Sequence, residues 1–103
     1  MKQIVRRAKA DDDILRAIDY FVANAPDYAL PFVDAVEEAY RHIQKHPGSG
    51  SPRYAHELDL PGLRFWVCNR FPYLVFYVEQ ASRIEVWRVL HSHQDIPETL
   101  QAE

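Results

Sequence analysis

Apolar residues recur at helical spacing through the first half of the chain and crowd into short dense runs in the second. Ile14, Leu15, Ile18, Phe21 and Val22 hold the i, i+1, i+4, i+7, i+8 spacing of one apolar stripe, which predicts a helix over residues 11–24 with that stripe against the core. The triplet Asp11-Asp12-Asp13 offers an N-cap and two carboxylates to the positive end of the helix dipole, and Asn24-Ala25-Pro26-Asp27 ends the helix. Asp27 can cap a second, longer helix over residues 27–46, carrying Ala29, Phe32, Val33, Val36, Tyr40 and Ile43. Pro31 near its start predicts a local irregularity or a later true beginning. A connection of about four residues between the two favours an antiparallel hairpin.

Residues 2–7 form an extended basic run around Ile4 and Val5, and residues 63–69, 73–79 and 83–91 are rich in β-branched and aromatic residues. Short connectors between the last three predict an antiparallel meander. Residues 49–62 read as a surface connection, and residues 95–100 as the Asp95 cap of a short helical turn. The expected class is α+β, in the order β-α-α-β-β-β, with the helix hairpin on one face of a small, mainly antiparallel sheet.

Alternation sets Leu63, Phe65 and Val67 against Arg64, Trp66 and Cys68, and Tyr73, Val75 and Tyr77 against Leu74, Phe76 and Val78. In the last run it sets Ile84, Val86 and Leu90 against Trp87, Val89 and His91. Neither face is polar, and a hairpin covers only one. The second face is expected to offer aromatics and arginines to a partner, unless the C-terminal segment or the 49–62 connection folds over it as ordinary core.

The 103 residues suit one domain spanning 1–103, and 48% hydrophobic with 26% charged residues is ordinary globular composition. No run is apolar enough for a membrane span, and the first residues lack the apolar core of a signal peptide. The single cysteine, Cys68, can form no internal disulfide, which fits the cytoplasm. A net charge of -3 argues against a surface that coats nucleic acid and leaves room for a local basic patch; no direct sequence-specific DNA binding is expected. Charge is segregated: Lys2, Arg6, Arg7 and Lys9 crowd the start, whereas Asp11 to Glu38 carries eight acids and the single base Arg16. Past Lys45 every cation is an arginine, suited to planar contacts.

Candidate chemistry is sparse. His91-x-His93 with His56 or Asp95 lacks the spacing of a metal site, there is no glycine-rich phosphate loop, and no serine sits in a nucleophile elbow. Neither metal nor cofactor is expected. Cys68 in mid-strand reads as a buried thiol. Arg64, Arg88, His91 and His93 could together hold a phosphate and move a proton.

The element order, closing on NRFPYLVFYVEQASRIEVWRVLHSHQDI, resembles the RelE/ParE superfamily of bacterial toxins over nearly the whole chain. KHPGSGSPR, PYLVFY and VWRVLHSHQDIP carry the resemblance, the last being similar to the ParE ending. It implies a toxin held inactive by a ParD-like antitoxin; ParE members act on DNA gyrase and RelE members cut messenger RNA on the ribosome. The basic cluster of RelE-type sites is absent, since Leu74, Gln94 and Leu100 stand in the corresponding places. The ParE turn is altered too, with Ser92 for the usual glycine and His93-Gln94 for the arginine pair. Three readings follow: a gyrase-binding inhibitor, a ribosome-dependent ribonuclease, and a partner-stabilised remnant. Antitoxin anchors are expected at Phe32, Trp66, Tyr77 and Trp87, and target contacts at Arg64, Arg88, His91, His93 and Asp95. A ribonuclease would draw on His56, Arg64, Arg88, His91 and His93.

Overall fold

The computed structural model describes residues 1–102. Strand β1 (Gln3–Arg6) leads into α1 (Ala8–Asn24), a 3-10 turn at Pro26–Tyr28, and α2 (Ala29–Lys45). A second such turn at Pro47–Ser49 and the short α3 (Arg53–Glu57) precede β2 (Leu63–Val67), β3 (Tyr73–Glu79), β4 (Arg83–His91) and α4 (Ile96–Gln101). The sheet order is β1-β4-β3-β2, with β1 parallel to β4 and the other pairs antiparallel. The helix pair packs on one face, so the α+β architecture is as expected.

Helix α1 begins three residues before the acidic triplet. The Arg7 N–H donates the last sheet bond to Val86 O at 2.9 Å, and the chain turns into helix there without a side-chain cap. The triplet therefore lies inside the helix: Asp11 pairs with Arg6 at 2.8 Å, and Asp13 faces inward and is buried. The core stripe centres on Ala10, Asp13, Ile14, Ala17 and Phe21. Leu15 and Val22 lie well round the helix from that centre and stay 59% and 58% exposed, against the expectation that both face the core. In α2, Pro31 falls in the first turn, where its missing N–H is harmless, and Phe32, Ala35, Val36, Ala39 and Ile43 are buried.

The face away from the hairpin is core as well. Leu63, Leu74, Phe76 and Leu90 form a second cluster with Ile96 and Leu100, four apart on one side of α4, while Tyr54, Leu58 and Leu60 pack from the 49–62 segment. That segment carries a helix instead of running bare, and it and the C-terminal turn supply apolar groups at the spacing needed to cover the strands. The expected open aromatic face is thus closed.

A bulge in β4 also alters the expected alternation. Tyr77 pairs with Val86 and Phe76 with Arg88, which leaves Trp87 without a partner in the register. Past this extra residue the strand reverses its facing: Val89 joins the hairpin-side core and Leu90 the opposite cluster.

Between hairpin and sheet the Tyr40 hydroxyl is buried, with no hydrogen-bond partner among the described residues. Burial, more than any neighbouring charge, raises its pKa. An unpaired buried hydroxyl costs about 1–3 kcal/mol, so Tyr40→Phe is expected to match or exceed wild-type stability in denaturant melts. A loss above about 1 kcal/mol would mean that the hydroxyl has a partner after all.

Candidate functional site

Three places gather polar side chains. The first is where β4 outruns β1. The β1 pairing ends at Val86 while β4 continues to His91, so the edge of β4 opens toward α1. Asp13 fills this gap. Its Oδ2 accepts the Val89 N–H at 3.0 Å and Arg88 Nε at 2.8 Å, and its Oδ1 accepts Arg88 Nη2 at 2.8 Å and Arg16 Nη2 at 2.9 Å. Four bonds saturate the carboxylate and hold Arg88 at 8% exposure. Arg88, expected to contact a target, is thereby a core residue.

The second place is the connection from α2 to β2. Tyr77, fully buried, donates its hydroxyl to Pro47 O at 2.7 Å and accepts the Gly50 N–H at 3.1 Å, while Arg64 Nη1 donates to Gly50 O at 2.8 Å. A Cβ at Gly50 would stand 2.9 Å from Phe65 O and against the Tyr77 hydroxyl, which explains the glycine in this stretch. Beside it His42 stacks on Trp66 with centroids 3.8 Å apart and 19° between planes. The Ser49 hydroxyl donates to His46 O at 2.7 Å and meets His42 Nε2 at 3.0 Å. Trp66 and the exposed Val67 line a cavity of about 370 Å³ at the β2 edge. Cys68 is buried, and desolvation, aided by Glu38, pushes its thiol up to about 12, which leaves it inert.

The third place is the turn after β4. His91 N–H donates to Gln94 Oε1 at 2.8 Å, and His91 Nδ1 accepts the His93 N–H at 3.0 Å. Burial, with His93 adding to it, lowers the His91 pKa, and the donor on Nδ1 favours the same neutral form. Asp95 accepts the Glu98 N–H at 3.1 Å and caps α4, as its sequence context predicts.

The residues suggested for phosphodiester chemistry fall into two groups. His56 and Arg64 line one cavity, and His91 lines another with which it shares no residue. Of the suggested anchors, Phe32 and Tyr77 have no exposed surface, so a partner cannot reach them without unfolding the chain. Trp66 and Trp87 remain half-buried; Trp87 donates Nε1–H to Glu85 at 3.0 Å beneath the Arg7 guanidinium, which lies 4.2 Å from the ring centroid. Sequence reasoning passed over Asp13, Arg16, Tyr20 and Tyr73. The one available signal was Arg16, the lone base among eight acids. No group of three metal-ligating side chains stands together among the described residues.

Residues 4–96 match the family model described as the ParE toxin of type II toxin-antitoxin system, parDE. Among solved structures the chain is similar to one from the chromosomal ParDE TA system from P. aeruginosa, at 23% identity over 88% of this chain and 96% of that one, with a TM-score of 0.73. That likeness is one of fold. No curated protein matches the chain.

Proposed function

The chain belongs to the ParE toxin family of type II toxin-antitoxin systems, and from that membership we propose that it acts by binding DNA gyrase and is silenced by a ParD-like antitoxin. What supports a binding inhibitor over a ribonuclease is the scatter of the candidate phosphate-holding groups. Arg88 is locked on Asp13, Arg64 gives Nη1 to Gly50 O and lines a cavity with His56, and His91 lines a different one. The direct test is a supercoiling assay with purified gyrase beside a messenger-RNA cleavage assay on programmed ribosomes. Inhibition of the first with no product in the second is the expected result, and the reverse pattern would replace this reading by the ribonuclease one. The cytoplasm suits both the proposed target and the lone thiol, and no helix among the described residues is long and apolar enough to cross a membrane.

For the antitoxin, accessible apolar side chains include Leu15 and Val22 on α1, Leu30 at 76% exposure on α2, and Trp66 with Val67 at the β2 edge. An amphipathic segment that orders on binding fits such a surface, and the acids of α1 and α2 call for basic residues on it. Its association rate should therefore fall with salt more than its dissociation rate rises. Trp66→Ala is expected to weaken antitoxin binding by at least ~2 kcal/mol while the variant still melts cooperatively. Unchanged affinity in a folded variant would place the partner elsewhere.

A further inference from the structure

The groove at the open edge of β4, about 380 Å³ in volume, has a donor inventory of which the gyrase reading uses only His91. Its carboxylate, Asp13, is saturated by two guanidinium groups and one backbone N–H. Arg88, buried behind the groove, already neutralises that carboxylate, so the charge of Arg16 at the groove is not cancelled by Asp13 alone. Arg16 is 70% exposed and gives only Nη2 to Asp13, so the rest of its fork is uncommitted. Tyr20, Tyr73, His91 and Gln94 line the same groove, and of the Gln94 amide only the oxygen is engaged. With Nδ1 accepting from the His93 N–H, the neutral His91 carries its proton on Nε2, which adds a donor to a residue that lines the groove. Tyr20 is more than half exposed, and Tyr73 and His91 meet edge to face at 5.1 Å, so aromatic side chains border the donors.

We propose that this groove binds the phosphate of a nucleotide, free or within a single strand, with the base against the tyrosine rings. A phosphate offers acceptors to Arg16, His91 and the two phenols together, and bases stack on such rings without regard to sequence. The volume lies at the small end of the range of ~300–1,000 Å³ for ligand cavities, which suits one nucleotide unit and leaves a carboxylate side chain loosely held. Asp12 and Asp19 lie on α1 at i−4 and i+3 from Arg16 but do not line the groove, and they should make the affinity modest and salt-dependent.

The test is a chemical-shift titration of the full chain with 5′-AMP, adenosine, a short single-stranded oligonucleotide and a glutamate-rich peptide. Shifts from 5′-AMP are expected at the amides of Arg16, Tyr20, Tyr73 and His91, with adenosine weaker by roughly tenfold or more and Kd raised at least about tenfold by Arg16→Gln. Because Arg16 is exposed and Arg88 still satisfies Asp13, that variant should keep the wild-type melting temperature. Tighter binding of the oligonucleotide than of 5′-AMP would identify the strand as the source, and equal binding the free nucleotide. No localised shift by about 10 mM 5′-AMP, an affinity unmoved by Arg16→Gln, or a stronger response at the same amides to the acidic peptide would each overturn the proposal. Gyrase takes no part in the measurement, so its outcome is independent of the gyrase reading.

Discussion

Asp13→Ala is expected to destabilise the fold by about 3–5 kcal/mol, the usual cost of stripping one partner from a buried ion pair. The variant leaves Arg88 charged at 8% exposure, removes the acceptor of the Val89 N–H, and opens the β4 edge that β1 does not reach. Against a typical domain stability of ~5–15 kcal/mol, that loss is large enough to shift the midpoint of a denaturant melt far to the left. Asp12→Ala is the control. If the triplet served only the helix dipole, the two substitutions would cost alike, about 0.3–1 kcal/mol each. Asp12 is exposed, and its removal should fall within roughly ±0.5 kcal/mol. Arg88→Met should cost less than Asp13→Ala, because Asp13 would keep Arg16 and the Val89 N–H whereas Arg88 loses its carboxylate outright. Equal effects of Asp12→Ala and Asp13→Ala would contradict the bridge.

The contrast between these neighbours marks the limit of what the sequence could disclose. Apolar spacing is a local property, and it located both helices, with β3 and β4 found at residues 73–79 and 83–91. The partner of a buried charge is not local. Asp13 and Arg88 are 75 residues apart, and nothing beside either one distinguishes a core arginine from one aimed at a target. The same holds for Tyr77, whose hydroxyl fixes a turn 30 residues upstream in the chain. The β4 bulge was hidden for another reason. Apolar side chains occupy both parities of residues 83–91 and each parity also holds a charged residue, Arg88 on one and Glu85 on the other, so polarity does not mark where the register slips. Strand patterning likewise cannot tell whether a second apolar face is open, since the answer lies in Ile96 and Leu100, which look like two ordinary residues of a short tail until α4 sets them side by side.

Phe32→Ala is expected to cost about 3–5 kcal/mol of stability and to spare the antitoxin contact, the opposite of what an interface anchor would do. The ring is completely buried between α1 and the sheet, with centroids at 5.2 Å from Phe21, 5.6 Å from Phe71 and 4.9 Å from Tyr73. Those rings come from α1, the β2–β3 turn and the start of β3, so no single shift of one element can close the cavity that alanine would leave. A drop in melting temperature on the order of 20 °C follows for a domain of this size. Binding must then be measured with folding held apart from it, because an antitoxin that binds only the folded toxin would pull the variant back by mass action and disguise a stability loss as weak affinity. At a temperature where Phe32→Ala is folded by its tertiary signal, the antitoxin dissociation rate should match wild type. An anchor role predicts near-normal melting with affinity lower by ~2 kcal/mol or more, and that pattern would move Phe32 from the core to the interface.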